Sequence, residues 1–343
     1  MHARLVQLLR YAVLAPSRHN TQPWLFEIEG PELRVFGDWR RVLPVADPQG
    51  RALVMACGAA VHNVEVAARS FGIAASVENL AGSGSRKDGL IARVRLEEAW
   101  RPTAEDRRLF AAIPLRRTNR FGCDGRPVPP GLVARLVRAS ARLDVRVRPV
   151  EETLRTAAAE IVREGDRQLW STARYRTEVA AWSRTNDSRS QDGMPGYAHG
   201  LSDSASVLHR IWVRARRAGA AEEQRDRLHV LHSPALLSVH TAGDRAADWF
   251  TAGRAIQCVL LHAAAEGLSA SFFSQAIEVP SARARLAEAL GERGWPQLLV
   301  RIGYGRASRA IPRRPVSDVL RSVTAEPPRH AIVRAAVQGE LRT

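Results

Sequence analysis

Lysine is nearly missing from this chain: Lys87 is the only one in 343 residues, and arginine carries the basic charge. Cysteine is scarce too. Cys57, Cys123 and Cys258 are odd in number and show no C-x-x-C spacing. That excludes a disulfide framework and a cysteine zinc site, and it points to a reducing, cytoplasmic compartment. No apolar run approaches the ~20 residues of a membrane span, and the longest, around Cys258 to Ala265, is about half of that. Arg4 and Arg10 interrupt the short N-terminal apolar stretch, so no secretory signal is expected. Several catalytic signatures are absent: no G-x-S-x-G, no H-E-x-x-H and no P-loop. Two glycine runs imitate a dinucleotide fingerprint and fail. GSGSRK (82–87) has Lys87 in place of the third glycine, and GYGRAS (303–308) has Ser308 there. The one histidine cluster, His229-x-x-His232 with His240 nearby, lacks a carboxylate or cysteine to complete a metal site.

What is present is a globular composition, with 45% hydrophobic and 25% charged residues. A chain of this length buries roughly 75% of its unfolded surface without staples. The net charge is +16. The arginines are spread along the chain rather than gathered into a stripe, so no specific nucleic-acid partner is expected.

Hydrophobic periodicity predicts a helix over 3–15, strands over 24–28 and 33–36 around Gly30-Pro31, and a long helix from Asp47-Pro48 to Phe71. Strands follow over 73–80 and 90–96, joined by a flexible hairpin connection (81–89). Helices are predicted over 102–112 and 131–141, then a strand over 143–147. Two polar helices fall within 152–183. Residues 184–206 read as a long polar loop, of the kind that forms lids or binding segments. A further helix precedes a strand over 235–240. Then come a long helix over 244–266, a strand over 269–273, a helix over 281–290, a strand over 297–302 and a basic tail.

One stretch repeats. GAAVHNVEVAARSFGIAAS (58–76) aligns without gaps to GRAIQCVLLHAAAEGLSAS (253–271), with seven identities in 19 positions. Gly58/Gly253 and Gly72/Gly267 bracket a helix of equal length in each copy. This predicts two diverged copies of a helix–strand unit, the second one expanded.

The segment APSRHNTQPW (15–24) gathers hydroxyl, guanidinium, imidazole and amide groups on a loop between rigid elements, the position of a polar ligand cradle. An ordinary side-chain-capped turn would use the same residue types. The segment resembles the P-S-x-x-N-x-Q-P-W stretch of the flavin-dependent nitroreductases. RRTNRF (116–121) resembles that family's phosphate-binding R-R-S-x-R-x-F. RIGYGRASRAIPRRP (301–315) resembles its C-terminal glycine strand and basic closing segment, and DGMP (192–195) fits a branch with two units fused in one chain. The resemblance runs over roughly residues 5 to 320.

It implies an α+β fold of mixed or antiparallel sheets flanked by helices, built as an internal pseudo-dimer. Residues 1–100 would form the first unit and 101–343 the second, intertwined with it. It also implies FMN as cofactor. Arg116, Arg117, Thr118 and Arg120 would hold the phosphate, with Arg313 or Arg314 closing the other side. Ser17, His19, Asn20 and Gln22 would come from the first unit, and Phe273, Ser274 and Gln275 would face the flavin ring. The motif order is split: the first unit keeps P-S-x-x-N without an arginine run before it, whereas the second keeps RRTNRF and has RASARLDV (138–145) where P-S-x-x-N belongs. One complete site, hence one FMN per chain, is the expectation. The flavin supplies the hydride chemistry, so no catalytic acid, base or metal is called for. The partners implied are NAD(P)H and a nitro, quinone or similar acceptor, served by a monomer. A protein that only stores flavin beneath a lid is the alternative.

Overall fold

The computed structural model describes residues 2–83, 89–215, 220–306 and 308–321. The Lys87 loop and the basic tail beyond Arg321 therefore lie outside the described residues.

Helix α1 (His2–Ala12) buries Leu5, Leu8, Leu9 and Ala12 on one face. Strands β1 (Trp24–Glu29) and β2 (Glu32–Gly37) pair as a hairpin, Trp24 opposite Gly37 and Glu29 opposite Glu32. Gly30 turns the chain in the left-handed region (φ +57°). The next helix, α2 (Arg51–Ser70), starts later than the sequence predicts. Gly50 is left-handed at its entry, and the Asp47 carboxylate accepts the Leu53 N–H at 3.0 Å. Strands β3 (Ile73–Asn79) and β4 (Leu90–Ala99) complete an antiparallel sheet ordered β1-β2-β4-β3. A linker helix, α3 (Ala104–Ala112), opens on a Thr103/Asp106 capping box.

The second half repeats this order. Helix α4 (Pro130–Ala139) corresponds to α1, and strand β5 (Arg146–Pro149) to β1. The strand begins three residues later than predicted, because Ala141–Leu143 form a 3-10 turn and Asp144 is left-handed (φ 45°). An insertion follows: α5 (Glu152–Ser171), α6 (Ala173–Trp182), the short parallel pair β6 (Ser183–Arg184) and β7 (Met194–Pro195), then α7 (Asp203–Ala215) and α8 (Ala220–Leu231). The polar 184–206 stretch is therefore not one long loop, since its strand pair, a 3-10 turn at Gly196–His199 and the start of α7 order it. Strand β8 (Ala235–Thr241), helix α9 (Ala246–Ala265) and strand β9 (Ser269–Phe272) resume the repeat. The short α10 (Gln275–Glu278), α11 (Pro280–Leu290), strand β10 (Trp295–Gly303) and α12 (Val316–Val319) close the chain. The second sheet is ordered β5-β8-β10-β9, the same sequence of roles as the first.

The two halves meet where α2 packs along α9. A Cβ on Gly58 would lie 2.2 Å from the Phe250 carbonyl oxygen, and one on Gly253 would lie 2.0 Å from that of Met55. These contacts exchange under the 195-residue offset of the repeat, as do the neighbouring pairs Asn63–Gln257 and His62–Cys258. The seam is thus an internal pseudo-two-fold axis. One continuous apolar cluster crosses it, running from Leu8, Phe26 and Val61 to Phe250, Val259 and Val300. The chain also crosses over at a sheet edge: Leu320 bridges to Phe26 of β1, while Thr118 bridges to Ala270 of β9 within the second half. The shared apolar cluster would be exposed on both sides if the halves were separated. Among the described residues no helix is long and apolar enough to cross a membrane.

Candidate functional site

A cavity of about 250 Å3 opens at the seam. Its floor is a stripe of small residues on α2, Ala52, Ala56 and Ala59, beside Met55 and Ile256. One wall is the segment after α1, and another is the chain from Ser271 to Gln275. The insertion supplies a roof: Asp166 and Trp170 of α5, Tyr175 of α6, and Arg225, Asp226 and His229 of α8.

The segment after α1 is strained. His19 (φ 48°), Asn20 (φ 56°) and Gln22 (φ 49°) are left-handed without being glycine. Such clusters occur where surrounding contacts over-determine the backbone, commonly at functional sites. Here the contacts can be named. Ser17 Oγ accepts the Gln22 N–H at 2.9 Å. Asn20 Nδ2 donates to the carbonyls of Gly193 (3.0 Å) and Pro312 (3.1 Å), and its Oδ1 accepts from Arg313 at 2.9 Å. Gln22 Nε2 donates to the Gln191 carbonyl at 2.7 Å, and its Oε1 accepts the Arg314 N–H at 2.8 Å.

These bonds correct part of the sequence reading. Gln22 and Arg314 do not line the cavity; they fasten the insertion and the C-terminal segment to the loop. Asn20 does line it, but its amide is engaged in the same fastening. Ser17 and His19 line the cavity as expected. The His19 Nε2 is buried without a partner, and burial, together with Arg18 and Arg120, holds its imidazole neutral, well below the usual histidine range.

Arg18, between them, was not singled out from the sequence. It donates to Glu278 (2.8 Å), to the Tyr175 hydroxyl (3.1 Å) and to Ser274 Oγ. Ser274 is therefore a wall residue held by this arginine. Gln275 Nε2 bridges two carboxylates, Asp166 and Asp226, at 2.9 Å each. Burial, then the charge of Asp226, raises the Asp166 carboxyl well above its usual range. Phe273 contributes mainly to packing: its ring is 1% exposed, inside the cluster that contains Leu236 and Leu299, and its N–H is bonded to the Leu299 carbonyl.

Beyond Thr118, which borders both spaces, lies a smaller recess of about 80 Å3. Arg116, Arg117, Arg120, Arg309 and Arg313 line it, and no carboxylate does so among the described residues. Arg116 is 4% exposed, and its Nε, like that of Arg313, is buried without a partner. Burial and the neighbouring guanidinium charges bring Arg116 down to about 9 and Arg313 to about 10. Burial and Arg18 bring Arg120 to about 10. Several forked donors converge with no counter-charge, and a phosphate monoester has the charge and acceptors they lack.

No family model matches the chain. Two curated relatives from Mycobacterium tuberculosis (strain H37Rv) do. "Putative NAD(P)H nitroreductase Rv3131" is 33% identical over 319 residues, covering 91% of this chain and 90% of the relative. "Putative NAD(P)H nitroreductase acg" is 28% identical over 318 residues, covering 91% and 93%. Among solved structures, the FMN-dependent nitroreductase NfnB from Mycobacterium smegmatis in complex with NADPH is 14% identical, with a TM-score of 0.41. That alignment covers 63% of this chain and 97% of the other. A pseudo-symmetric α+β pair with a ligand cavity on its seam is the class of protein that fold and site define. The chain belongs to the nitroreductase family.

Proposed function

We propose that the seam cavity binds FMN and that the protein is an oxidoreductase passing hydride equivalents from NAD(P)H to a nitro, quinone or similar acceptor. The observation that carries this reading is the carboxylate-free arginine recess beside the alanine-floored cavity. Arg116, Arg117, Thr118, Arg120 and Arg313 would hold the phosphate. Ser17, His19 and the Ser274–Gln275 wall would border the ring system. When bound, the flavin supplies the redox chemistry, and the protein supplies orientation and electrostatics. No other group in the cavity is needed as acid or base.

We infer one FMN per chain. Under the 195-residue offset, Met55, Ala56 and Ala59 correspond to Phe250, Thr251 and Arg254. Thr251 is bonded to the Ala247 carbonyl, and Arg254 is paired with Glu65 at 2.8 Å. Larger, engaged side chains thus stand where the first copy leaves a floor. The pseudo-dimer also completes the pairing within one chain, which favours a monomer with units at 1–100 and 101–343.

The roof over the cavity favours a second reading, a protein that holds flavin without turning over. One experiment separates the two: the visible spectrum of the purified protein, its flavin-to-protein ratio, then anaerobic NADPH. A ratio near one with bleaching of the flavin band supports the oxidoreductase. A persistent band supports the holding protein. A ratio near two overturns the single site, and absence of FMN binding overturns both readings.

A further inference from the structure

A second groove, of about 790 Å3, runs along the C-terminal half of α2 and shares no lining residue with the flavin cavity. Cys258 of α9, itself 7% exposed, lies in its wall together with two imidazoles, His62 of α2 and His262 one turn further along α9. His62 is 7% exposed, and both of its ring nitrogens are buried without a hydrogen-bond partner. Glu65 Oε2 stands 3.5 Å from its Nδ1, but that carboxylate is already paired with Arg254. From α3, Glu105 lies 3.3 Å from His262, and Arg108 contacts the same ring at 3.4 Å. The Ala139 carbonyl, 3.4 Å from the sulfur, opposes a negative charge there.

The pseudo-symmetry supplies a control for what packing alone demands. The counterpart of the His62–Cys258 pair is Gln257–Asn63, a buried neutral hydrogen bond of 2.7 Å. Two amides joined by one hydrogen bond fill the position on one side of the axis. On the other side the chain places an ionisable thiol and imidazole facing an open groove.

We propose that Cys258 is a nucleophilic thiol, modified reversibly by a low-molecular-weight anionic disulfide that enters through this groove. The Cys258 thiolate attacks one sulfur of the disulfide. A new S–S bond forms to Cys258 as the old one breaks, and the departing thiolate takes up a proton. Cys258 is oxidised and half of the incoming disulfide is reduced, so no further reactant is needed. Arg69, Arg108, Arg135, Arg138 and Arg254 line the groove against Glu65, Glu105, Asp106 and Glu266, and Arg135 is paired with Glu266 at 3.4 Å; the excess of one positive charge favours an anionic reagent. The electrostatics agree: burial opposes the thiolate, yet the imidazoles bring Cys258 down to about 6, while contact with the sulfur and Glu65 holds His62 up at about 9 despite its burial. The other two thiols are internal references, because burial pushes Cys57 and Cys123 up.

The test uses the full chain as purified. Oxidised glutathione is added at neutral pH and the cysteine peptides are examined by mass spectrometry. In parallel, iodoacetamide labelling is followed from pH 5 to 9. The proposal expects a dithiothreitol-reversible glutathione adduct on Cys258 and a labelling midpoint near pH 6. In His62→Asn the midpoint moves toward an ordinary thiol, about 8.5. The midpoint is the readout rather than the rate at one pH, because a more basic thiolate is also the better nucleophile. Flavin absorbance shows that the variant is folded. An adduct on Cys123 instead, an unlabelled Cys258 in protein whose three cysteines all label once unfolded, or a Cys258 midpoint above pH 8 would overturn it.

Discussion

Gly253 meets the carbonyl of Met55 as Gly58 meets that of Phe250, and neither position has room for a methyl group. Backbone lies against backbone at both points, so a neighbouring side chain cannot swing aside to make space. Gly253→Ala should cost about 1–3 kcal/mol through overpacking, seen as a melting temperature lower by several degrees. It should also weaken flavin binding, because Met55 is part of the cavity floor. An unchanged melt would mean that the seam can slide.

Arg116→Met separates ligand binding from folding. Losing one charge-assisted bond of roughly 1.5–3 kcal/mol should weaken FMN binding about 10- to 150-fold. The flavin-free protein should not lose stability, since the substitution removes a buried charge that has no carboxylate partner. Flavin-fluorescence titration and thermal melts of the flavin-free protein check the two halves independently.

Asp192 fastens the insertion, accepting from Arg41 (2.9 Å), Arg184 (2.8 Å) and the Ser190 hydroxyl (2.8 Å). Burial opposes its charge, but these donors hold the carboxyl at about 2. Their contribution is complete above the ordinary aspartate range near 4 and is lost as the pH falls through about 2. At neutral pH, Asp192→Ala should speed FMN release a few-fold, in line with partly exposed pairs of up to about 1 kcal/mol. Chasing bound FMN with excess free riboflavin phosphate analogue measures the rate. An unaltered release rate would show that the roof does not gate the cavity.

The histidines set an acid limit. Burial and nearby arginines hold His19 well below the usual range, and burial with Arg301 brings His229 to about 4. Both are neutral in the fold, whereas the unfolded chain binds protons below about 6.5. These two histidines therefore contribute a loss of stability as the pH falls from about 7 toward 4. His229→Asn should flatten the slope. Flavin-free protein is the right sample, because the phosphate of FMN titrates in the same window.

Elements with strong periodicity were legible in the sequence, as was the repeat: apolar spacing places α1, α2 and α9, and Gly58 and Gly253 mark the crossing itself. The arginine recess was legible because RRTNRF is contiguous. The roof was not. Arg18 and Glu278 are 260 positions apart, and the pair exists only after α10 and the loop behind α1 are brought together. Polarity made 184–206 read as loop, whereas bonds from Asn20, Gln22 and Arg41 order it. Gln22 and Arg314 were placed at the ligand by motif. The left-handed backbone of Gln22 and its bond to the Arg314 N–H, which no local pattern encodes, place both at the fastening of the loop to the C-terminal segment.

In an assembly of two identical chains, every substitution at the seam is written twice, once on each side of the axis. Here His62 and Gln257 occupy equivalent places, as do Cys258 and Asn63, and each is coded separately. The fused chain can therefore carry an amide pair on one side and a thiol beside an imidazole on the other, and alanines at 56 and 59 against Thr251 and Arg254 at the equivalent places. Joining the halves in one polypeptide turned a symmetry constraint into two independently adjustable faces.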